Sequence, residues 1–286
     1  MQRKLHPLEG IVAFFALVFV LALSIGFAQA GEPRKVALRS NAALVIDAAT
    51  GEVVIDKNGD AVTPIASITK LMTAIVILES GLDLEAQVAL TRDDVDFKKG
   101  SRSRLRTGAS LTRNELLLIA LMASENRAAA ALGRSYPGGT QAFVAAMNEM
   151  AAELQMHDTR FVDPTGLNPG NVSSARDLAK LVRAAHGYPL IREYSTRDKA
   201  TVLLSGKQKM NYRNTNGLVR NARWDIDLSK TGYISEAGRC LVMQVRLASK
   251  DLIVVLLDSW GRHSRVGDAN RIRKWVESTL AAGIQG

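Results

Sequence analysis

The chain has 286 residues, 47% of them apolar, which is enough material for one large domain or two small ones around a real core. A disordered tail and a short linear peptide are therefore excluded. Lysine and arginine outnumber aspartate and glutamate by 37 to 28. The resulting charge of +9 is spread thinly along the chain, which favours an anionic partner or surface without naming one.

The cysteine and histidine content limits the chemistry that this chain can perform. A single cysteine, Cys240, excludes an intramolecular disulfide, and its apolar sequence neighbours favour a small buried residue over a reactive thiol. The histidines share no metal-binding spacing, so no zinc site is predicted; they are His6, His157, His186 and His263. Any reaction should therefore use serine, lysine, acidic side chains or the backbone.

The first thirty residues have the pattern of a secretory signal peptide. A basic start precedes an unbroken apolar run at 11–23, and Ala28-Gln29-Ala30 forms a small-x-small cleavage site. We predict a signal peptide over residues 1–30 and an exported, periplasmic protein. An uncleaved membrane anchor is the alternative, because the apolar stretch can be extended beyond this run.

Predicted strands and helices follow one another in the exported part. Residues 42–56 predict two short strands joined by a turn at Ala49-Thr50-Gly51. Residues 66–80 are apolar nearly all round, which is typical of a helix buried in the middle of a domain. The stretch that follows is predicted to be mostly helical, and a capping box at 112–115 opens one of its helices.

The last third of the chain returns to strands and then ends in a helix. These elements are predicted at 227–234, 239–247, 252–258 and 268–281. The simplest arrangement pairs the N-terminal hairpin with the C-terminal strands in one antiparallel sheet flanked by helices, with a mostly helical subdomain inserted. We predict a single domain over residues 31–286 of the α/β (α+β) class. Its parts are two sheet portions, at about 40–80 and 225–286, and a helical portion at about 81–224.

Ser67-Ile68-Thr69-Lys70 is a short S-x-x-K motif whose position gives it weight. Pro64 precedes the buried helix, so Ser67 falls in its first turn, where free N–H groups and the positive helix end favour a developing alkoxide. Lys70 lies on the same face, and an amine inside an apolar helix loses solvation, which would lower its pKa and let it act as a base. A capping serine beside a lysine that extends to solvent is the alternative.

Lys230-Thr231-Gly232 lies inside a predicted strand. Glycine weakens a strand unless something must approach the backbone closely, such as a substrate laid alongside as an added strand. Lys230 and Thr231 would then offer a cation and a hydroxyl to an anionic group. The alternative is an exposed edge strand that carries a basic residue.

Ser124-Glu125-Asn126 is a polar triplet between two apolar segments, and taken alone it is also consistent with a helix–helix turn capped by serine or asparagine. In the order S-x-x-K, S-x-N, K-T-G, the three motifs resemble the penicillin-binding proteins and class A β-lactamases. The chain is most similar to the low-molecular-weight D-alanyl-D-alanine peptidases, in the periplasmic DD-endopeptidase branch. Supporting stretches lie at 64–74, 121–128, 164–167 and 213–216. The resemblance covers about 40–285 and implies a penicillin-binding protein/β-lactamase-like fold.

The resemblance implies a catalytic role for three residues. Ser67 would attack a carbonyl and form an acyl-enzyme, Lys70 would take the serine proton, and Ser124 would relay a proton to the leaving amine. Burial and the nearby Lys230 would keep Lys70 neutral. The substrate-binding residues that the resemblance implies are Asn126, Lys230, Thr231, Gly232 and Tyr233.

The resemblance also implies how these residues hold the substrate. Lys230 and Thr231 would bind a carboxylate near the scissile bond, and backbone N–H groups of Ser67 and Tyr233 would form the oxyanion hole. No cofactor and no metal are needed. The implied partners are peptidoglycan stem peptides and β-lactams as covalent inhibitors; no nucleic acid is expected, and weak membrane association stays open.

Departures from neighbouring families narrow the expected activity. The stretch 162–168 lacks the Glu-x-x-x-Asn pattern of class A β-lactamases, which disfavours lactamase activity. Only 54 residues follow Gly232, so the C-terminal domain and anchoring helix of many carboxypeptidases are not expected. The predicted function is a serine peptidase that cleaves D-alanyl bonds in peptidoglycan cross-links. A D-alanyl-D-alanine carboxypeptidase and an inactive murein-binding scaffold are the alternatives.

Two further features carry weaker expectations. A basic cluster could meet anionic peptidoglycan, although an edge strand protected by charge is favoured; its residues are Lys98, Lys99, Arg102, Arg104 and Arg106. For Asp163, which directly precedes Pro164, a role in a turn is favoured over a catalytic one.

Overall fold

The fold is built around an antiparallel sheet that joins the two ends of the described chain. The computed structural model describes residues 36–97 and 99–283, so the predicted signal peptide at 1–30 and Lys98 lie outside the described residues. The strands are β1 (Ser40–Asp47), β2 (Val53–Lys57), β3 (Thr63–Pro64), β4 (Gln87–Ala89), β5 (Ser110–Thr112), β6 (Val172–Ser173), β7 (Lys199–Leu204), β8 (Gln208–Arg213), β9 (Asp225–Ile234), β10 (Gly238–Leu247) and β11 (Lys250–Ser259). Within the described ranges the main sheet has the order β2-β1-β11-β10-β9. The predicted pairing of hairpin and C-terminal strands is confirmed.

Both faces of this sheet are buried, and the strand sequences explain why. In β1, which pairs with β11, Leu44 and Ile46 pack into the larger core, while Ala43 and Val45 pack on the opposite face. A strand covered on both faces has apolar side chains at consecutive positions rather than at alternate ones. The register places Leu44 opposite Val255, so the two ends of the chain share these layers.

Helices cover the two faces. They are α1 (Lys70–Glu79), α2 (Arg113–Met122), α3 (Asn126–Arg134), α4 (Gly139–Glu153), α5 (Ala175–His186), α6 (Pro189–Thr196) and α7 (Ser264–Gly283). The first six contribute to the larger core, whereas α7 packs on the opposite face through Ala269, Ile272 and Val276. Helix α1 is buried from Lys70 to Ile77, as its apolar sequence predicts. None of the helices in the described ranges is both long enough and apolar enough to cross a membrane.

The middle of the chain contains strands that the sequence did not predict. Strands β7 and β8 form a hairpin whose exposed positions alternate with buried ones such as Val202, Leu204 and Tyr212. Only every second residue of such a hairpin is apolar, and polar residues dominate the rest, so the pattern is weak in the sequence. Two shorter pairs, β3 with β6 and β4 with β5, also lie in or border this region.

The prediction of a strand in the basic cluster is wrong. Residues 99–107 are irregular, and Leu105 is buried there while Arg102, Arg104 and Arg106 are exposed. Alternation of exposed and buried residues mimics a strand, but no neighbouring strand pairs with this segment within the described ranges. It is held instead by side chains, such as Arg127, which donates to the Leu105 carbonyl.

Candidate active site

Ser67 and Lys70 face each other at the entrance to α1. Ser67 lies in a tight helical turn, Ala66–Thr69, and Lys70 is the first residue of the α-helix that continues from it. The Lys70 amine donates to Ser67 Oγ at 2.8 Å, to Asn126 Oδ1 at 2.7 Å and to the Thr165 carbonyl at 2.6 Å. Lys70 is 1% exposed, so these three contacts fix the amine within a dry environment.

Close backbone contacts hold the turn that carries Ser67. Ala66 has a φ of +48°, in the left-handed region that residues other than glycine seldom occupy. Gly232, in β9, lies so near that a Cβ there would be 2.9 Å from the Ile65 carbonyl oxygen and 3.1 Å from Ser67 N. Position 232 therefore needs a glycine because the chain itself packs closely there, in addition to the predicted approach of a substrate.

Gly166 also lies close to this turn. A Cβ on Gly166 would lie 1.9 Å from the Ala66 carbonyl oxygen, and its φ is +79°. Asp163 shapes this loop, because its carboxylate accepts hydrogen bonds from the backbone N–H groups of Thr165, Gly166 and Asn168. The predicted turn role of Asp163 agrees with these bonds. The sequence did not predict the contact of Thr165 with Lys70, although its Pro-Thr-Gly stretch was a signal.

A second serine–lysine pair lies beside the first. Ser124 occupies the turn between α2 and α3 with a φ of +57°, and the Lys230 amine donates to its Oγ at 2.8 Å and to the Thr231 carbonyl at 3.0 Å. Lys230 is 1% exposed. The cap of α3 is Glu125, whose side chain accepts from Arg127 N, and not the serine or asparagine that the alternative interpretation named.

The two buried amines differ from ordinary lysines in their pKa. Burial lowers the pKa of Lys70 to about 7, against the opposing effect of the carboxylates of Asp163 and Glu125. Burial, followed by the charge of Lys70, lowers the pKa of Lys230 well below its ordinary value. The two amines repel each other, so each disfavours the charged form of the other.

The remaining predicted residues, Thr231, Gly232 and Tyr233, lie on β9, and only Tyr233 is exposed. Thr231 Oγ1 lies 2.7 Å from Thr215 Oγ1, and Tyr233 is 57% exposed. Because β9 is the last strand of the sheet, its outer edge can accept an added strand. Arg265 of α7 donates to the Gly232 carbonyl at 3.1 Å, a contact that the sequence did not predict. No group of acidic, histidine or cysteine side chains among the described residues could hold a metal ion.

The structure thus brings the three motifs together. A serine hydroxyl beside a buried amine of lowered pKa, next to an open strand edge, is the arrangement of a serine enzyme that transfers acyl groups. Together with the mixed α/β fold, it defines the class of serine peptidases.

Comparisons with known proteins agree. The chain belongs to the S11 peptidase family, described as D-alanyl-D-alanine carboxypeptidase, whose model matches residues 28–261. It is similar to the D-alanyl-D-alanine endopeptidase of Pseudomonas aeruginosa, with 46% identity over 90% of this chain and 83% of that protein. The protein of the same name from Escherichia coli is 41% identical over 93% of this chain and 88% of that protein. Among solved structures, the Streptomyces K15 DD-transpeptidase matches with a TM-score of 0.77 and 27% identity, over 84% of this chain and 97% of that one.

Proposed function

We propose that this protein is a periplasmic serine DD-peptidase that hydrolyses the D-alanyl bonds of peptidoglycan cross-links. The observation that carries the proposal is the 2.8 Å separation between Ser67 Oγ and a Lys70 amine whose pKa is about 7. Relatives named endopeptidases share more sequence with this chain than a relative named carboxypeptidase does, which supports cleavage of cross-links over removal of terminal D-alanine.

Acylation begins with a proton transfer along the Ser67–Lys70 contact. In its neutral form Lys70 accepts the hydroxyl proton, and Ser67 Oγ forms a bond to the D-alanyl carbonyl carbon. Backbone N–H groups of Ser67 and Tyr233 stabilise the oxyanion. The carbon–nitrogen bond then breaks, and the leaving amine receives a proton through the Ser124 hydroxyl. Water attacks the resulting ester and releases the free carboxylate and the Ser67 hydroxyl.

The other residues position the peptide. Asn126 holds the substrate amide and orients Lys70, to which it is already hydrogen bonded. Lys230 and Thr231 bind the carboxylate next to the scissile bond, and an anion there would favour the charged form of Lys230 again. The peptide extends along the free edge of β9 past Gly232. No cofactor takes part.

The remaining expectations complete the proposal. Residues 31–286 form one catalytic domain after a signal peptide over residues 1–30 that directs the chain to the periplasm. Peptidoglycan stem peptides are its substrates. β-Lactams mimic the substrate and acylate Ser67, and the resulting ester is hydrolysed slowly.

Labelling with a fluorescent penicillin tests the nucleophile. Peptide mapping should place the adduct on Ser67, and Ser67→Ala should abolish it while leaving the unfolding midpoint in urea unchanged within error. Ser101→Ala is the matched control, because Ser101 lies outside the three motifs, and it should label as the wild type does. An unlabelled but folded wild type would support the inactive scaffold instead.

Purified muropeptides decide which bond is cleaved. Cross-linked dimers and monomeric pentapeptides are incubated separately with the wild type. Release of monomers from dimers supports the endopeptidase. If terminal D-alanine is released from pentapeptides and dimers stay intact, the protein is a carboxypeptidase.

A further inference from the structure

A cavity that the proposed mechanism does not use adjoins the turn that holds Ser124. Its volume is about 690 Å³, and Ala123 and Glu125, the neighbours of Ser124, form part of its wall. The rest of the wall comes from the 100–104 segment, from the end of β8 at Tyr212 and Arg213, and from Asp96 and Arg127. We call it the arginine cavity, because Arg102, Arg104, Arg127 and Arg213 line it.

Two polar groups of this wall are buried without a partner. Tyr212 is 4% exposed, and its hydroxyl forms no hydrogen bond with any described residue. Arg127 Nε is equally unpaired within the described chain, although another nitrogen of the same guanidinium donates to Leu105. Burial, and then the charge of Glu125, raises the pKa of Tyr212 to about 12, so the hydroxyl keeps its proton. Buried donors without acceptors are unfavourable, and a ligand that accepts from them would remove this penalty.

The charge of the lining selects an anion. Its four arginines face two acids, Asp96 and Glu125. Both carboxylates already accept backbone hydrogen bonds, Asp96 from Lys99 N and Ser101 N and Glu125 from Arg127 N. Arg104 stacks over the Tyr212 ring, 4.3 Å from its centroid. The guanidinium groups therefore outnumber the carboxylates, and in a peptide substrate the anionic groups that a guanidinium can pair with are carboxylates.

The position of the cavity relates it to one side of the scissile bond. Thr231 contacts Thr215, and their hydroxyl oxygens are 2.7 Å apart. The Thr215 N–H in turn donates to the Met122 carbonyl, at the end of α2. Arg213 lies two residues before Thr215 and lines the cavity. The cavity thus adjoins the turn of Ser124. In the proposed mechanism this serine passes the proton to the leaving amine, which relates the cavity to that side of the bond.

We propose that the arginine cavity binds a carboxylate of the second stem peptide, the one whose amine is released when a cross-link is cleaved. The inference rests on the proposed function and deepens it by naming the substrate part that this side holds. Tyr212 donates its hydroxyl proton to this carboxylate, and the guanidinium groups pair with it. A carboxypeptidase that releases a single D-alanine would leave the cavity unused.

Two substitutions test the cavity without touching the catalytic motifs. Arg102→Gln removes an exposed charge from the lining, and Arg106→Gln is its matched control, because Arg106 is equally exposed on the same segment but does not line the cavity. Tyr212→Phe removes only the unpaired hydroxyl, so the free energy of unfolding in urea should stay the same or rise. Fluorescent penicillin should acylate all three variants at the wild-type rate.

Cleavage of muropeptides provides the readout. Arg102→Gln and Tyr212→Phe should each lower kcat/KM on cross-linked dimers by about tenfold, as expected for a lost hydrogen bond to a charged group. Arg106→Gln should not. Dimers amidated only at carboxylates away from the scissile bond keep the group that Lys230 and Thr231 bind. They should lose a similar factor with the wild type, and on them the variants should match the wild type. The proposal would be overturned if Arg102→Gln and Tyr212→Phe lowered kcat/KM by the same factor on native and on amidated dimers. It would also be overturned if Arg102→Gln and Arg106→Gln had equal effects on kcat/KM.

Direct binding separates this proposal from the proposed function. Calorimetry measures a free stem tripeptide, with its carboxylates intact, against the Ser67→Ala protein. We expect Kd to rise about tenfold with added Arg102→Gln and to stay unchanged with added Arg106→Gln. No binding to Ser67→Ala refutes the cavity even when wild-type dimers are cleaved. Binding without dimer cleavage by the wild type refutes the endopeptidase alone.

Discussion

Replacing Gly166 by alanine tests how strongly the 163–168 loop positions the nucleophile. The new Cβ would lie 1.9 Å from the Ala66 carbonyl oxygen, and real Cβ contacts stay beyond 3.0 Å. The loop must therefore retreat by ~1 Å, and a non-glycine residue at its φ of +79° adds about 1–2 kcal/mol of strain. Thr165, one residue earlier, accepts from Lys70 at 2.6 Å. A shift of ~1 Å would take this contact beyond hydrogen-bonding distance and misplace the amine, which can lower the rate by roughly 100-fold.

The assay is the second-order rate of acylation by a fluorescent penicillin, together with urea unfolding. Gly108→Ala is the matched control, because Gly108 has a φ of +83° and no atom within 4 Å of the added Cβ. It should lower the free energy of unfolding by about 1–2 kcal/mol and leave acylation unchanged. Acylation of Gly166→Ala at the rate of Gly108→Ala would refute the argument that this contact positions Ser67.

Three further outcomes are expected. Because the pKa of Lys70 is about 7, acylation should be lost as pH falls through 7 and rise roughly tenfold between pH 6 and 8, measured as the penicillin acylation rate. Asp163→Asn removes a carboxylate that raises this pKa, so the midpoint of the same profile should move to lower pH; a midpoint at higher pH would contradict the assignment. Cys240 is buried, and burial raises its pKa to about 11. A thiol reagent such as dithionitrobenzoate should therefore react with it only after unfolding in urea. Rapid reaction with the native protein would show that the thiol is accessible.

Much of the site could be predicted because its motifs lie on elements with strong sequence patterns. Ser67 and Lys70 open a helix that is apolar all round, and Lys230 lies in a strand of a long apolar meander. Side-chain chemistry and periodicity are both visible in the sequence at these positions. The order of the three motifs along the chain then pointed to a family whose fold brings them together.

Contacts made by the backbone could not be predicted in the same way. Nothing in the side chain of Thr165 indicates that its carbonyl meets Lys70, and the need for glycine at 166 depends on a neighbour 100 residues earlier, Ala66. Such facts follow from tertiary packing, which local patterns do not contain.

The β7–β8 hairpin and the basic segment show the limits of periodicity. The hairpin is half exposed, so its pattern is weak, and the sequence analysis included it in a mostly helical portion. The Arg-x-Arg-x-Arg spacing has the period of a strand, yet the described segment has no strand to pair with. A strand needs a partner, and the identity of the partner is a property of the whole fold.

The pairing of β1 with β11 has a consequence for how the protein acquires activity. Ser40 lies opposite Ser259, so the sheet closes only when segments 219 residues apart have met. Pairings of such long range raise the contact order and slow folding. Lys230 lies on a strand added to that sheet through β10, late in the order of synthesis. A chain released from denaturant should therefore regain its helical signal well before it regains the capacity to react with penicillin.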